Sequence, residues 1–194
     1  VKINELFHET LSHDITIKTL ELSRKLGHCC QYYLSKDIYA NPSDDSQFVI
    51  TSRFATLTGI QLNYCDDNFV GVMKEKGLPL RVVIMCGEKY IDETMAVLTN
   101  SLGDDAYILR SPTGWFVEIL MKGVCKGNGL KRMCSELNLN ISETIAFGDG
   151  CNDLEFLQMA GLGIAMKNSM RCVKDVADEI TDFTNAEDGV LLKL

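Results

Sequence analysis

The chain has 194 residues, 46% of them hydrophobic, which is enough for one substantial domain or two small ones with a packed core. Nineteen basic against twenty-seven acidic side chains leave a net charge of -8, the wrong sign for a surface that binds nucleic acid or an anionic membrane. No apolar run approaches the roughly 20 residues of a membrane helix and no charged-then-apolar leader is expected, so the reading is a cytoplasmic protein.

In chain order, 14–26 carries apolar residues at Ile17, Leu20 and Leu26 with Gly27 just after, which predicts an amphipathic helix with a glycine stop. Segments 29–34 and 38–40 read as short strands. The pattern over 48–57 is weakly helical, and 63–72 is ambiguous between an extended connection and a helix start. A compact β-favouring run follows at 80–85, then a helix at 90–102 closed by Gly103. Strands at 106–109 and 116–120 flank a Ser-Pro-Thr-Gly turn, as in a hairpin.

After Gly123 the rhythm becomes a regular α/β alternation: helix 130–137, strand 144–147, helix 154–160, strand 162–165, helix 170–177 and strand 179–180. That is how a doubly wound parallel sheet reads, preceded here by a mixed α+β unit with the boundary near Gly123. The eight cysteines, Cys29, Cys30, Cys65, Cys86, Cys125, Cys134, Cys151 and Cys172, form no C-x-x-C pair. Reduced thiols in the core or at the surface are expected, as in an intracellular compartment.

The sharpest chemical signal is Phe147-Gly148-Asp149-Gly150-Cys151-Asn152-Asp153, after an apolar strand and before a helix whose buried face would be Leu154, Leu157 and Ala160. Asp149 at the strand tip and Asp153 in the first helical turn can face one point, and two converging carboxylates call for a cation. Mg²⁺ suits such a pair, because it takes one or two carboxylates, keeps several waters and accepts phosphate oxygens. An Asp-Gly turn with a helix cap is the plain alternative.

Lys126 precedes Gly127-Asn128-Gly129 and a helix marked by Leu130, Met133, Cys134 and Leu137. A cation there opposes the helix dipole unless an anion is shared with the helix amides, a phosphate-binding arrangement; a solvated loop lysine is the other reading. Asn168 stands between a strand and a helix, as an N-cap or a ligand contact. Asn185, Asp188 and Gly189 read as a polar turn, and His8, His13 and His28 as incidental.

Taken together, Glu118-Ile119, Gly123, Lys126-Gly127, then I-A-F-G-D-G-C-N-D-L-E-F-L, G-I-A-M-K-N-S, V-K-D-V-A-D and T-N-A-E-D-G-V resemble Cof-type sugar-phosphate phosphatases of the haloacid dehalogenase superfamily. The resemblance is dense from Trp115 onward and architectural before it. It implies a partial Rossmannoid core at 123–194, an α+β cap of the C2B type at 7–122, and a linker at 1–6.

By that resemblance, Lys126 neutralises the phosphoryl group, Asp149 ligates Mg²⁺ and Asp153 supports the metal, while Asn152 and Asn168 lie near the phosphate. The substrate would be a small phosphorylated metabolite. The family's nucleophile string, Asp-x-Asp-Gly-Thr, does not occur in the sequence, nor does its Thr-Gly-Arg phosphate motif. The expectation is therefore a shortened form of a larger enzyme, inactive alone and prone to self-association through uncovered apolar faces. Two rivals stand beside it: an inactive phosphate- or metal-binding regulatory module, and a phosphomutase related to the phosphomannomutases.

Overall fold

The structure is a computed structural model, and it describes residues 7–111 and 113–194. The expected linker at 1–6, and Pro112 of the expected turn, fall outside the described residues. Two compact units divide the chain, one spanning Phe7–Lys122 and one containing Gly123–Leu194.

In the first unit the elements run α1 (His13–Leu26), β1 (Cys29–Tyr33), β2 (Ile38–Ala40), α2 (Asp45–Thr58), β3 (Asn63–Tyr64), α3 (Phe69–Lys76), β4 (Arg81–Met85), α4 (Ile91–Leu102), β5 (Ala106–Arg110) and β6 (Phe116–Met121). They build a sheet of order β3-β2-β1-β4-β6-β5, antiparallel except for the β2–β3 pair. The ambiguous stretch at 63–72 resolves into β3 and the start of α3, whose N-cap Asn68 accepts from the Gly71 amide.

The alternation along the strands explains the layers. Cys30 and Tyr32 of β1, Val82 and Ile84 of β4, and Val117 and Ile119 of β6 share a core with Ile15 of α1 and with Ile91, Leu98 and Leu102 of α4. Cys29, Tyr33, Val83 and Met85 face the other way, against Ile50 and Phe54 of α2 and Phe116. Each fully buried aliphatic side chain contributes about 1.5–3 kcal/mol.

The helix expected at 14–26 forms and stops at Gly27, and its buried face is more polar than its apolar pattern suggests. Its buried face is Ile15, Thr16, Thr19 and Ser23, while Ile17, Leu20 and Leu26 are only half-buried. Three hydroxyls tolerate burial because each finds a carbonyl close by: Thr16 Oγ1 donates to Ser12 O at 2.8 Å, Thr19 Oγ1 to Ile15 O at 2.7 Å, and Ser23 Oγ to His28 O at 2.8 Å.

The second unit carries α5 (Lys126–Glu136), β7 (Ile145–Gly148), α6 (Leu154–Met159), β8 (Leu162–Ala165), α7 (Arg171–Lys174), β9 (Glu179–Ile180) and α8 (Gly189–Lys193). Its sheet is parallel, in the order β7-β8-β9. The whole is thus α/β, with helices and a parallel sheet in this unit and an α+β arrangement in the other. Ala146, Leu157, Ala165 and Val173 form one buried cluster, and Leu130, Cys134, Ile164 and Met166 are buried as well. Of the expected α6 face only Leu157 is fully buried; Leu154 and Ala160 pack beside it.

Two helices differ from expectation. α5 starts at Lys126 rather than at 130, because Cys125 takes the N-cap geometry and its sulfur accepts from the Asn128 amide. α7 is confined to Arg171–Lys174, and its N-cap is Met170, not Asn168. No helix among the described residues is long and apolar enough to cross a membrane.

Candidate functional site

The loops at the carboxyl ends of β7 and β8 are tied to each other through the backbone. Met166 N donates to Gly148 O at 2.9 Å and Met170 N to Asp149 O at 3.1 Å. Such strand ends are where open parallel sheets bind ligands.

Asp153 organises the first of these loops. It closes a 3-10 turn over Cys151–Asp153 just before α6, and it is buried, with 3% relative exposure. Its Oδ2 accepts from the amides of Asp149 at 2.9 Å and Gly150 at 3.0 Å, while Oδ1 accepts from the ammonium of Lys126. Burial pushes the Asp153 carboxyl up, but Lys126 and the two amides outweigh it and hold it below the ordinary carboxylate value. The carboxylate is therefore charged at neutral pH, and its hold on the loop is lost only in acid.

Two glycines make this contact fit. A Cβ on Gly148 would lie 2.6 Å from Asp153 Cβ, and one on Gly127 would lie 2.8 Å from the carbonyl carbon of Glu155. Gly127 thus lets α5 approach α6 and brings Lys126 beside Asp153. Lys126 occupies the first turn of α5, where its charge opposes the helix dipole, and the ion pair offsets that cost.

Asp149 is exposed, with its amide engaged by Asp153 and its carboxylate unpaired among the described residues. With Lys126, Asp153 and Asn185 it lines an open groove of about 220 Å³, whose other walls are Phe147, Gly148, Phe156, Met166 and Val190. A groove of about 440 Å³ in the other unit is larger, but its lining of Leu26, Gly27, His28, Ser46, Gln47, Ile50, Met85, Cys86 and Tyr90 contains neither a carboxylate nor a lysine or arginine.

Of the residues singled out in the sequence, Lys126, Asp149 and Asp153 are brought together, and Asn152 and Asn168 do not line the groove. Asn152 is exposed on the 3-10 turn. Asn168 neither caps a helix nor stands free: its Oδ1 accepts from the Asn185 amide at 3.1 Å. That bond seats Asn185, which had read as a plain turn residue, at the groove. The T-N-A-E-D-G-V motif held the signal, since Thr184 and Glu187 form a capping box that shapes this turn.

The donor set fits a hard divalent ion. One exposed carboxylate, Asp149, faces a groove that also holds an ammonium, whereas Asp153 has its oxygens committed and would act from behind. Among the described residues there is no cluster of three or more His, Cys, Asp or Glu of the kind that cages a metal by protein ligands alone. Mg²⁺ would then need water and phosphate oxygens to complete its shell.

Parallel strands, an aspartate at a strand end and a lysine anchored beside it place the chain among α/β proteins whose candidate site lies at the carboxyl ends of the strands. The chain belongs to the haloacid dehalogenase-like hydrolase family, whose model matches residues 2–194. It is 38% identical over 97 residues to a phosphoglycolate phosphatase of Methanopyrus kandleri, a match covering 50% of this chain and 41% of that protein.

Among solved structures it is similar to a haloacid dehalogenase-like hydrolase from Bacteroides thetaiotaomicron, with a TM-score of 0.84 and 25% identity over 97% of this chain and 68% of that one. It also resembles a subclass IIB sugar phosphatase of the same superfamily, with a TM-score of 0.76 and 20% identity over 95% of this chain and 66% of that one. Across seven other curated relatives the chain spans from 15% to 67% of their length.

Proposed function

We propose that the protein is a Mg²⁺-dependent phosphatase of small phosphorylated metabolites, sugar phosphates foremost, in which 123–194 supplies the anion- and metal-holding half of the site and Phe7–Lys122 is a cap of the C2B type. The observation that carries this reading is the Lys126–Asp153 ion pair set beside the exposed Asp149 at the end of β7.

Lys126 would hold a phosphoryl oxygen with its ammonium at the start of α5, where the helix amides favour the same anion. Asp153 keeps that ammonium and the amides of Asp149 and Gly150 in register, which is positioning fixed before substrate arrives. Asp149 would hold Mg²⁺, which supplies charge neutralisation for the phosphoryl oxygens when bound. Asn168, through the Asn185 amide, steadies the far wall of the groove. The sugar phosphatase named above and the phosphoglycolate phosphatase both handle small phosphate esters, which favours that substrate class.

Turnover through an aspartyl-phosphate needs a nucleophilic carboxylate, and the sequence contains no Asp-x-Asp-Gly-Thr string. That observation favours, as a second reading, a phosphate-binding module without turnover. The deciding experiment is phosphate release from a panel of sugar phosphates with Mg²⁺, run on this chain and on any longer product of its gene that carries such a string. Release by the longer form alone, lost in Lys126→Met, supports the phosphatase. Inactivity of both with phosphate still bound supports the module, and unchanged binding in Lys126→Met sinks the site itself.

A further inference from the structure

We propose that Cys151 and Cys172 are a thiol-modification site that a peroxide converts to a reversible intrachain disulfide, tying the loop that carries Asp149 to α7. Their sulfurs lie 2.9 Å apart, within about 1 Å of the 2.03–2.05 Å of a disulfide bond. The approach is held by the backbone as well as by side-chain rotamers, because Met170 N donates to Asp149 O at 3.1 Å and so fixes the start of α7 against the loop. A third sulfur, Met170 Sδ, stands 3.6 Å from Cys151 Sγ.

Access separates this pair from most other thiols. Cys151 is exposed and Cys172 half-buried, whereas Cys29, Cys30, Cys86 and Cys134 are buried. Cys29 is further occupied by the Thr51 hydroxyl at 3.0 Å. Neither Cys151 nor Cys172 lines the groove, so the pair has no part in the phosphate site proper.

The chemistry balances with hydrogen peroxide as the oxidant. One thiolate attacks a peroxide oxygen, the O–O bond breaks, and a sulfenic acid and hydroxide result. The second sulfur attacks the sulfenic sulfur, the S–S bond forms and the S–O bond breaks, releasing a second hydroxide. The two thiol protons convert both hydroxides to water, so two thiols and one peroxide give one disulfide and two waters. A dithiol reductant reverses the bond by exchange.

The test is peroxide titration of the chain, followed by free-thiol counting, intact mass and a tryptic map without reductant. The expected result is loss of two of the eight thiols, a mass decrease of two hydrogens, and peptide 172–174 joined to peptide 133–167. Fragmentation places the bridge on Cys151 rather than Cys134, and dithiothreitol restores both thiols. Cys151→Ser and Cys172→Ser each abolish the two-hydrogen loss. The inference is overturned if the loss persists in either variant, if the bridge maps to another cysteine, or if the linkage joins two chains. The readout is thiol chemistry, so it stands or falls separately from the phosphatase reading.

Discussion

The two units hold themselves together by different means. Among the described residues of Phe7–Lys122, fourteen buried apolar residues of sheet and helices cluster on one side of the sheet, and α2 covers four more on the other. In the Gly123–Leu194 unit the buried apolar residues are fewer, eight among those described, and this is where Lys126, Asp149 and Asp153 meet. Apolar burial is non-directional and sets stability; a site needs direction, and here the direction comes from Asp153 bonding to two amides and a lysine, and from the backbone links between the strand-end loops. The difference is one of means: apolar burial orders the first unit, while directed polar bonds hold Lys126, Asp149 and Asp153 in place.

The largest expected effect tests that contrast. Ile84→Ala, at 0% exposure in the large cluster, is expected to cost about 2–5 kcal/mol in urea unfolding, toward the upper end because the cavity is walled on all sides. Leu157→Ala, at 1% exposure in the small cluster, is expected near the lower end, since half-buried neighbours can collapse into the space. Equal losses would break the comparison.

Next in size is a pair of glycine substitutions of opposite sign. Gly148→Ala forces a Cβ to 2.6 Å from Asp153 Cβ and is expected to cost about 1–3 kcal/mol by overpacking, with faster hydrogen exchange at the Asp149 and Gly150 amides. Gly129→Ala, in α5, has nothing within 4 Å of the added carbon and is expected to stabilise by about 0.5–1 kcal/mol through helix propensity. Thermal unfolding of both variants reads the two signs side by side.

How much of this was legible in the sequence depends on the range of the interactions. Strands 38–40 and 162–165 were readable residue for residue, because short apolar runs bounded by polar or turn residues declare themselves locally, and 179–180 from its place in the α/β alternation. That Asp149 and Lys126 would come to one place was readable from their motifs, and the motif order pointed to the family. The buried face of α1 was not: threonine hydroxyls that return to their own helix carbonyls look polar to any periodicity argument. The bond from the Asn185 amide to Asn168 was not legible for the opposite reason, since the two residues are seventeen apart and nothing in the local pattern points from one to the other. Nor does the sequence declare that the space beside Gly148 is taken by Asp153.

His28, which read as incidental, gives the smallest expected effect and the one that probes the larger unit by charge instead of volume. It borders the 440 Å³ groove, with Nε2 3.2 Å from Thr94 Oγ1 and its ring 5.6 Å from that of Tyr90. Burial lowers its pKa below the ordinary 6.5, against the smaller opposing pull of Glu93 and the Gly27 backbone. The unfolded chain therefore takes up the proton first as pH falls, so the stabilisation from neutral His28 is full above 6.5 and is lost on descending through the folded value. Unfolding midpoints of the wild type and His28→Gln, measured between about pH 8 and pH 5, are expected to converge as the pH drops. Curves that stay parallel across that window would mean that the groove leaves His28 as free to ionise as an exposed histidine.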